Sequence, residues 1–203
     1  MPDLSMFPRT TELKPGKTLV IRPLTAADQP ALIRFMNDMP LEHRLFLRDD
    51  IANAAMIKAW CRNIDYADVI PLLGILNGEI VANGTLHFSH HHWTRHVGEI
   101  RILVGPDFRG IGIGRAIVHE LFSLGISAGL ERIMAIHMSS EDFLIKVLVS
   151  LGFSEAARIP RHVKDINGEN HDMVVLIAEV QNVWEQQEQM ITEDRYWPLS
   201  GQY

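Results

Sequence analysis

One stretch of twelve residues, Val104-Gly-Pro-Asp-Phe-Arg-Gly-Ile-Gly-Ile-Gly-Arg115, constrains this chain more than any other. A β-prone run, His96 to Val104, precedes it, and apolar residues at helical spacing follow it: Ile113, Ala116, Ile117, Leu121 and Leu124. The chain must therefore pass from strand to helix through a segment rich in glycine. The first turn of a helix leaves several backbone N–H groups unpaired along its axis, and glycine lets an anion approach them with no Cβ in the way. A pyrophosphate meets that requirement, and Arg109 and Arg115 bracket the segment with further charged donors. Two familiar phosphate loops fail. A Walker loop starting at Gly105 needs Lys and Ser or Thr after Gly110, where the chain has Ile111 and Gly112. A dinucleotide fingerprint starting at Gly110 needs Gly or Ala at Arg115 and a parallel β–α–β setting that the preceding sequence lacks. A tight turn with no ligand is the competing reading of the glycines alone.

The surrounding pattern is mixed. Pro15-Gly16 marks a turn before the β-prone Thr18 to Arg22, so residues 1–17 read as an N-terminal extension and the domain as residues 18–180. Thr25 and Asp28 resemble a helix start, with Ala31, Leu32, Phe35 and Met36 following at helical spacing; Ile51, Ala55, Met56, Ala59 and Trp60 suggest a second helix. Val69 to Leu76 and Ile80 to Phe88 are strands joined at Asn77-Gly78, a strong hairpin signal. After the helix that follows Gly112 come a strand at 132–137, a helix at 141–150 and two strands, Phe153 to Ile159 and Met173 to Val180, flanking Asn167-Gly168. The expected order is β, α, α, β, β, β, α, β, α, β, β, a mixed α/β (α+β) fold. Residues 181–203 read as a terminal helix and tail.

A length of 203 residues suits one domain, and a net charge of −6 argues against bulk attraction to nucleic acid or an anionic membrane. Cys61 is the single cysteine, so no internal disulfide forms, and neither a signal-peptide pattern nor an apolar run of membrane-spanning length is present. The expected location is the cytoplasm. Oligomeric state stays open, a homodimer included.

Arg109-x-x-Gly112-x-Gly114 resembles the Arg/Gln-x-x-Gly-x-Gly/Ala motif of the GNAT N-acetyltransferases, within the longer match from Val104 to Gly114. Leu151-Gly152-Phe153 is similar to the Leu-Gly-Phe that follows that family's fourth helix, and the element order is shared. The resemblance spans roughly residues 18–180. It implies a mostly antiparallel mixed sheet flanked by helices, whose fourth and fifth strands, ending near Val104 and His137, splay apart around the pantetheine of acetyl-coenzyme A. The amine acceptor would attack the thioester directly, with no metal. The backbone of Ile102, Leu103 and Val104 would hold the pantetheine and polarise the acetyl carbonyl; Arg109, Gly110, Ile111, Gly112, Ile113, Gly114 and Arg115 would hold the pyrophosphate. Glu99, five residues before Val104, stands where many members carry a general base; its other reading is a strand carboxylate facing Arg101 two residues on. The usual acidic Tyr is replaced by Leu148 and the usual coenzyme-contacting Asn by Glu141, with Ser139, Ser140, Ser150 or a water left as substitutes.

Segments 21–28 and 40–48 and Leu148 are similar to acetyltransferase domains that modify protein lysines; a small-molecule amine is the alternative acceptor. A different class, a coenzyme-binding sensor without catalysis, is favoured by the missing Tyr and opposed by Glu99. His87, His90, His91, His92 and His96 read as a solvent-exposed connection rather than a metal site, because no Cys accompanies them and loop neighbours seldom converge on zinc; the alternative is that some of them line the acceptor side, since the loop adjoins the strand carrying Glu99. Cys61 reads as a packing residue and Trp93, Trp184 and Trp197 as packing or interface residues.

Overall fold

The computed structural model describes residues 3–14, 16–40, 54–165 and 167–183. The segment around Ile51, most of 40–48, Trp184 and Trp197 lie outside these residues. The described elements are β1 (Arg9–Lys14), β2 (Lys17–Pro23), α1 (Gln29–Asn37), α2 (Ala54–Arg62), β3 (Val69–Leu76), β4 (Glu79–Phe88), β5 (Val97–Val104), α3 (Ile113–Ser127), β6 (Arg132–Met138), α4 (Asp142–Ser150), β7 (Ser154–Lys164) and β8 (Asn170–Glu179). Among them the strands form one sheet in the order β1-β2-β3-β4-β5-β6-β8-β7, in which β5 and β6 pair parallel and the other neighbours antiparallel. No described helix is long and apolar enough to cross a membrane.

The mixed, mostly antiparallel sheet expected from the sequence is present, with one strand more. Residues 9–14, expected outside the domain, form an edge strand paired with β2. Arg9-Thr-Thr-Glu-Leu-Lys14 lacks the apolar density of an interior strand because only one face at a sheet edge meets the core, where Leu13 is buried. The fourth and fifth strands of the expected order are thus β5 and β6.

Alternation along the strands divides the core in two. Gly84, Leu86, Ile100 and Ile133 face α3 and α4, whose Ile117, Leu121, Phe122 and Leu148 are fully buried. Leu73 and Leu103 point to the other face, under Leu32, Phe35 and Met36 of α1 and Ile57 and Cys61 of α2. Local chemistry sets the joints. Asn77 and Gly78 take φ of 51° and 83°, the double left-handed geometry of a two-residue hairpin. Gly152, at φ 97°, ends α4: the Gly152 N–H bonds the Val149 carbonyl (3.1 Å) and the Phe153 N–H the Leu148 carbonyl (3.1 Å). This paired C-cap is the physical content of Leu-Gly-Phe, and it delivers Phe153 edge-on to Phe122, with ring centroids 5.5 Å apart. The β7–β8 connection is longer than two residues, running from Asp165 to Glu169 with Asp165 Oδ1 accepting the amides of Asn167 and Glu169.

The entry to α1 is pinned by charge. Arg22 grips Asp28 through two bonds of 2.7 and 2.6 Å, and Asp28 also accepts the Thr25 amide and hydroxyl. The Arg22 guanidinium, its largest influence, holds the Asp28 carboxyl down at about 2, below its ordinary 3.8. This stabilisation, about 2 kcal/mol, is complete above pH ~4 and is lost as the pH falls through about 2. Urea melts of wild type and Asp28→Asn should therefore converge across that window; a constant gap down to pH 2 would contradict the assignment.

Gly84 lets α3 lie close on the sheet, since a Cβ there would collide with Ile117 Cγ2. Gly84→Ala should cost about 1–3 kcal/mol in denaturant unfolding. An unchanged midpoint would mean that α3 is not held against β4 at that point.

Candidate active site

The site begins where a ladder stops. β5 and β6 are paired over Val97–Glu99 and Arg132–Met134 only, with Glu99 opposite Met134. Beyond that point β5 stays on β4 as far as Val104, and β6 stays on β8 as far as Met138. The facing edges of the two strands are therefore unpaired with one another, and backbone groups of a strand edge need partners. This is the splay expected of the strands ending near Val104 and His137.

The Gly-rich turn stands at the end of β5. After a single 3-10 turn at Pro106–Phe108, Gly110 and Gly112 take φ of 71° and 96°, and Gly112 is the N-cap of α3. With no side chain, Gly112 cannot cap the helix itself. The first ladder bond of α3 runs from the Ala116 N–H to the Gly112 carbonyl (3.0 Å), so the amides of Ile113, Gly114 and Arg115 precede the ladder. Ile113 is buried and anchors the helix start in the core, while Ile111, Gly112, Gly114 and Arg115 are half-buried and Arg109 and Gly110 exposed. Nothing lies within 4 Å of a Cβ built on Gly110, and one built on Gly114 would make ordinary contact with Val104 Cγ2 at 3.5 Å. The residues expected to hold a pyrophosphate therefore lie together in one turn at the start of α3. Burial lowers the pKa of the Arg115 guanidinium, which donates to Ser150 Oγ at 3.3 Å. A neighbouring anion would offset that desolvation.

Leu103 is buried under α1 and α2, so its side chain packs and only its backbone is available at the strand edge; Ile102 and Val104 pack half-buried toward α3. Glu99 shares the α1/α2 face with Leu103. Its Oε1 accepts a bond from Arg101 Nε at 3.0 Å, and its side chain keeps 15% exposure. The carboxylate thus faces Arg101 as the alternation of the strand required. Directly across on β4, His87 is in register with Glu99 and Thr85 with Arg101, and Thr85 Oγ1 bonds His87 Nε2 at 2.9 Å. Of the two, Thr85 carries no signal of its own in the sequence. His87 lies within the expected strand Ile80 to Phe88, and the β4–β5 register puts it on the face of Glu99.

The other histidines are dispersed. His90 bonds Asp68 at 2.6 Å on the surface, His91 and His92 are exposed, and Trp93 is 82% exposed. Among the described residues, Asp165, Glu169 and His171 are the group whose candidate ligand atoms fall within 4.8 Å of one another. There Asp165 is occupied in closing the β7–β8 turn and bonding His171. Cys61 is buried under α1, and burial pushes its thiol pKa up, away from nucleophilic thiolate. Leu148 is fully buried, and Glu141, the N-cap of α4, accepts the Met138 amide at 3.0 Å and bonds His137 Nδ1 at 3.2 Å.

Residues 32–153 match the Acetyltransferase (GNAT) family, more than half of the chain. Several solved structures share the fold. A ribosomal-protein-alanine N-acetyltransferase from Brucella melitensis is 23% identical with a TM-score of 0.68, over 78% of this chain and 98% of its own. The GNAT domain of S. lividans PAT is 20% identical with a TM-score of 0.69, over 84% and 96%. The protein yncA from Salmonella typhimurium, solved with its cofactor acetyl-CoA, is 20% identical with a TM-score of 0.67, over 80% and 94%. A strand-to-helix glycine turn beside an opened parallel pair, within a match of that extent, makes this chain a member of the GNAT family of acetyltransferases and an acyltransferase enzyme.

Proposed function

We propose that the protein transfers the acetyl group of acetyl-coenzyme A directly to a primary amine, with Glu99 as the base. The observation that carries this reading is the coincidence of the uncapped α3 start with the β5/β6 opening. One offers amide donors for a pyrophosphate, and the other offers strand edges for an amide-bearing arm. The yncA structure with acetyl-CoA supports the choice of coenzyme. In this reading the amides from Gly110 to Arg115, with Arg109, hold the pyrophosphate. The edge of Ile102 to Val104 holds the pantetheine and stabilises charge growing on the thioester oxygen. No metal takes part. Two acceptor classes fit, a protein lysine and a small-molecule amine; the Brucella structure, named for a ribosomal-protein acceptor, supports a protein substrate.

A lysine-like amine of pKa ~10.4 is only about one part in a thousand neutral at pH 7.4, so a carboxylate that takes its proton has leverage. Glu99 lies beside the opening on the α1/α2 face and would exchange its Arg101 bond for the amine. Thr85 and His87, on the same face, would line the acceptor's approach.

Glu99→Gln should lower kcat roughly ten- to a thousand-fold and leave acetyl-coenzyme A affinity nearly intact, the deficit shrinking at high pH as the amine deprotonates unaided. The assay follows thiol release with lysine peptides, diamines and amino-acid amides as acceptors. Unchanged kcat from pH 6 to 9 sinks the role of Glu99. Gly112→Val should abolish acetyl-coenzyme A binding by calorimetry, and at φ 96° it should also lower stability by about 1–3 kcal/mol. A folded Gly112→Val protein that binds normally would place the pyrophosphate elsewhere.

A further inference from the structure

Departure of the thiolate is the step of this reaction with no residue assigned. Leu148, where the family's acid is expected, is a hydrocarbon with no accessible surface. The serines do not replace it. Ser150 Oγ donates to the Val147 carbonyl at 2.7 Å, Ser139 Oγ accepts the Asp172 amide at 3.2 Å, and Ser140 is exposed.

His137 is differently placed. Glu99 and Met134 are the last paired residues of β5 and β6, and three residues further on each strand lie Ile102 and His137, about 10 Å beyond the end of the ladder. The two stand level across the opening. By alternation His137 shares the face of Ile133 and Ala135, which are buried toward α3, whereas Glu99 lies on the opposite face with Leu103. The His137 side chain is 9% exposed and its Nδ1 meets Glu141 Oε2 at 3.2 Å, while Glu141 Oε2 is itself fixed by the Met138 amide at 3.0 Å. The ring is thereby oriented as a carboxylate orients a catalytic imidazole, with Nε2 left over. Among the described residues Nε2 has no hydrogen-bond partner.

We infer that His137, held by Glu141, donates the proton that the leaving coenzyme thiolate takes up. This rests on the acetyl transfer proposed above. The amine nitrogen forms a bond to the acetyl carbon, the carbon–sulfur bond breaks, and its electron pair leaves on sulfur. The Nε2 proton passes to that sulfur to give free coenzyme A thiol, and the proton lost by the amine passes to Glu99. Solvent then returns a proton to His137 and takes one from Glu99. Base and acid lie on opposite faces of the sheet, so the amine enters beside Glu99 and the sulfur departs toward His137. A ring N–H held in place by a carboxylate suits the role of donor to a departing thiolate.

The test is His137→Asn, which keeps an N–H near the Nδ1 position for Glu141 and removes Nε2. Acetyl-coenzyme A is the probe, with thiol release followed both in water alone and with lysine amide. The expected result is a ten- to hundred-fold loss of kcat in both reactions, an unchanged calorimetric Kd for acetyl-coenzyme A, and partial recovery in His137→Gly on adding free imidazole. Glu141→Gln, which keeps the acceptor for Met138, should lose less. If His137→Asn melts early, the imidazole rescue of His137→Gly decides the matter. Wild-type kcat in a folded His137→Asn protein, or no rescue by imidazole, overturns the role of His137 and leaves the acetyl-transfer reading standing. Failure of the wild type to bind acetyl-coenzyme A overturns both.

Discussion

The short parallel contact between β5 and β6 is the constraint on which the rest of the site depends. A parallel pair inside an otherwise antiparallel sheet needs a crossover, and α3 supplies it between the end of β5 and the start of β6. Because pairing stops at Glu99 and Met134, the two strand ends part with their edge groups unsatisfied by each other. Each strand keeps its ladder on the other edge, β5 to β4 and β6 to β8. The opening is thus built into the strand pairing of the sheet.

Packing on the two faces then gives the opening two sides. Close approach of α3 over Gly84 fixes the helix whose start carries Gly112 and the amides ahead of the ladder. On the other face α1, anchored through Arg22 and Asp28, covers Leu73 and Leu103 and leaves the polar row of Thr85, His87, Glu99 and Arg101 at its border. In the proposed function, coenzyme chemistry and acceptor chemistry fall on different faces of one sheet, with the proposed base and acid on either side of the bond that breaks.

Much of this was legible in the sequence because it rests on local rules. Positive φ at Gly110, Gly112, Asn77 and Gly78, the C-cap at Gly152 and the facing of Glu99 and Arg101 all follow from residue type and period. What was not legible depends on edges and partners distant in sequence. β1 is polar because it lies at a sheet edge, so its hydrophobic signal is weak. Thr85 and His87 acquire their meaning only from the β4–β5 register, and the bond between His137 and Glu141 requires the bend from β6 into α4. The acceptor leaves no comparable local signature, since the surfaces that read it come from several elements at once.

Amide hydrogen exchange, measured with and without acetyl-coenzyme A, tests the central claim most directly, because it reads the backbone groups that the proposed function uses. Binding should slow exchange at Ile102 to Val104 and from Gly110 to Arg115, in β5 and at the start of α3, with little change at the β7–β8 turn around Asp165. Protection confined to other elements, or saturating coenzyme with no change at the Gly-rich turn, would contradict it.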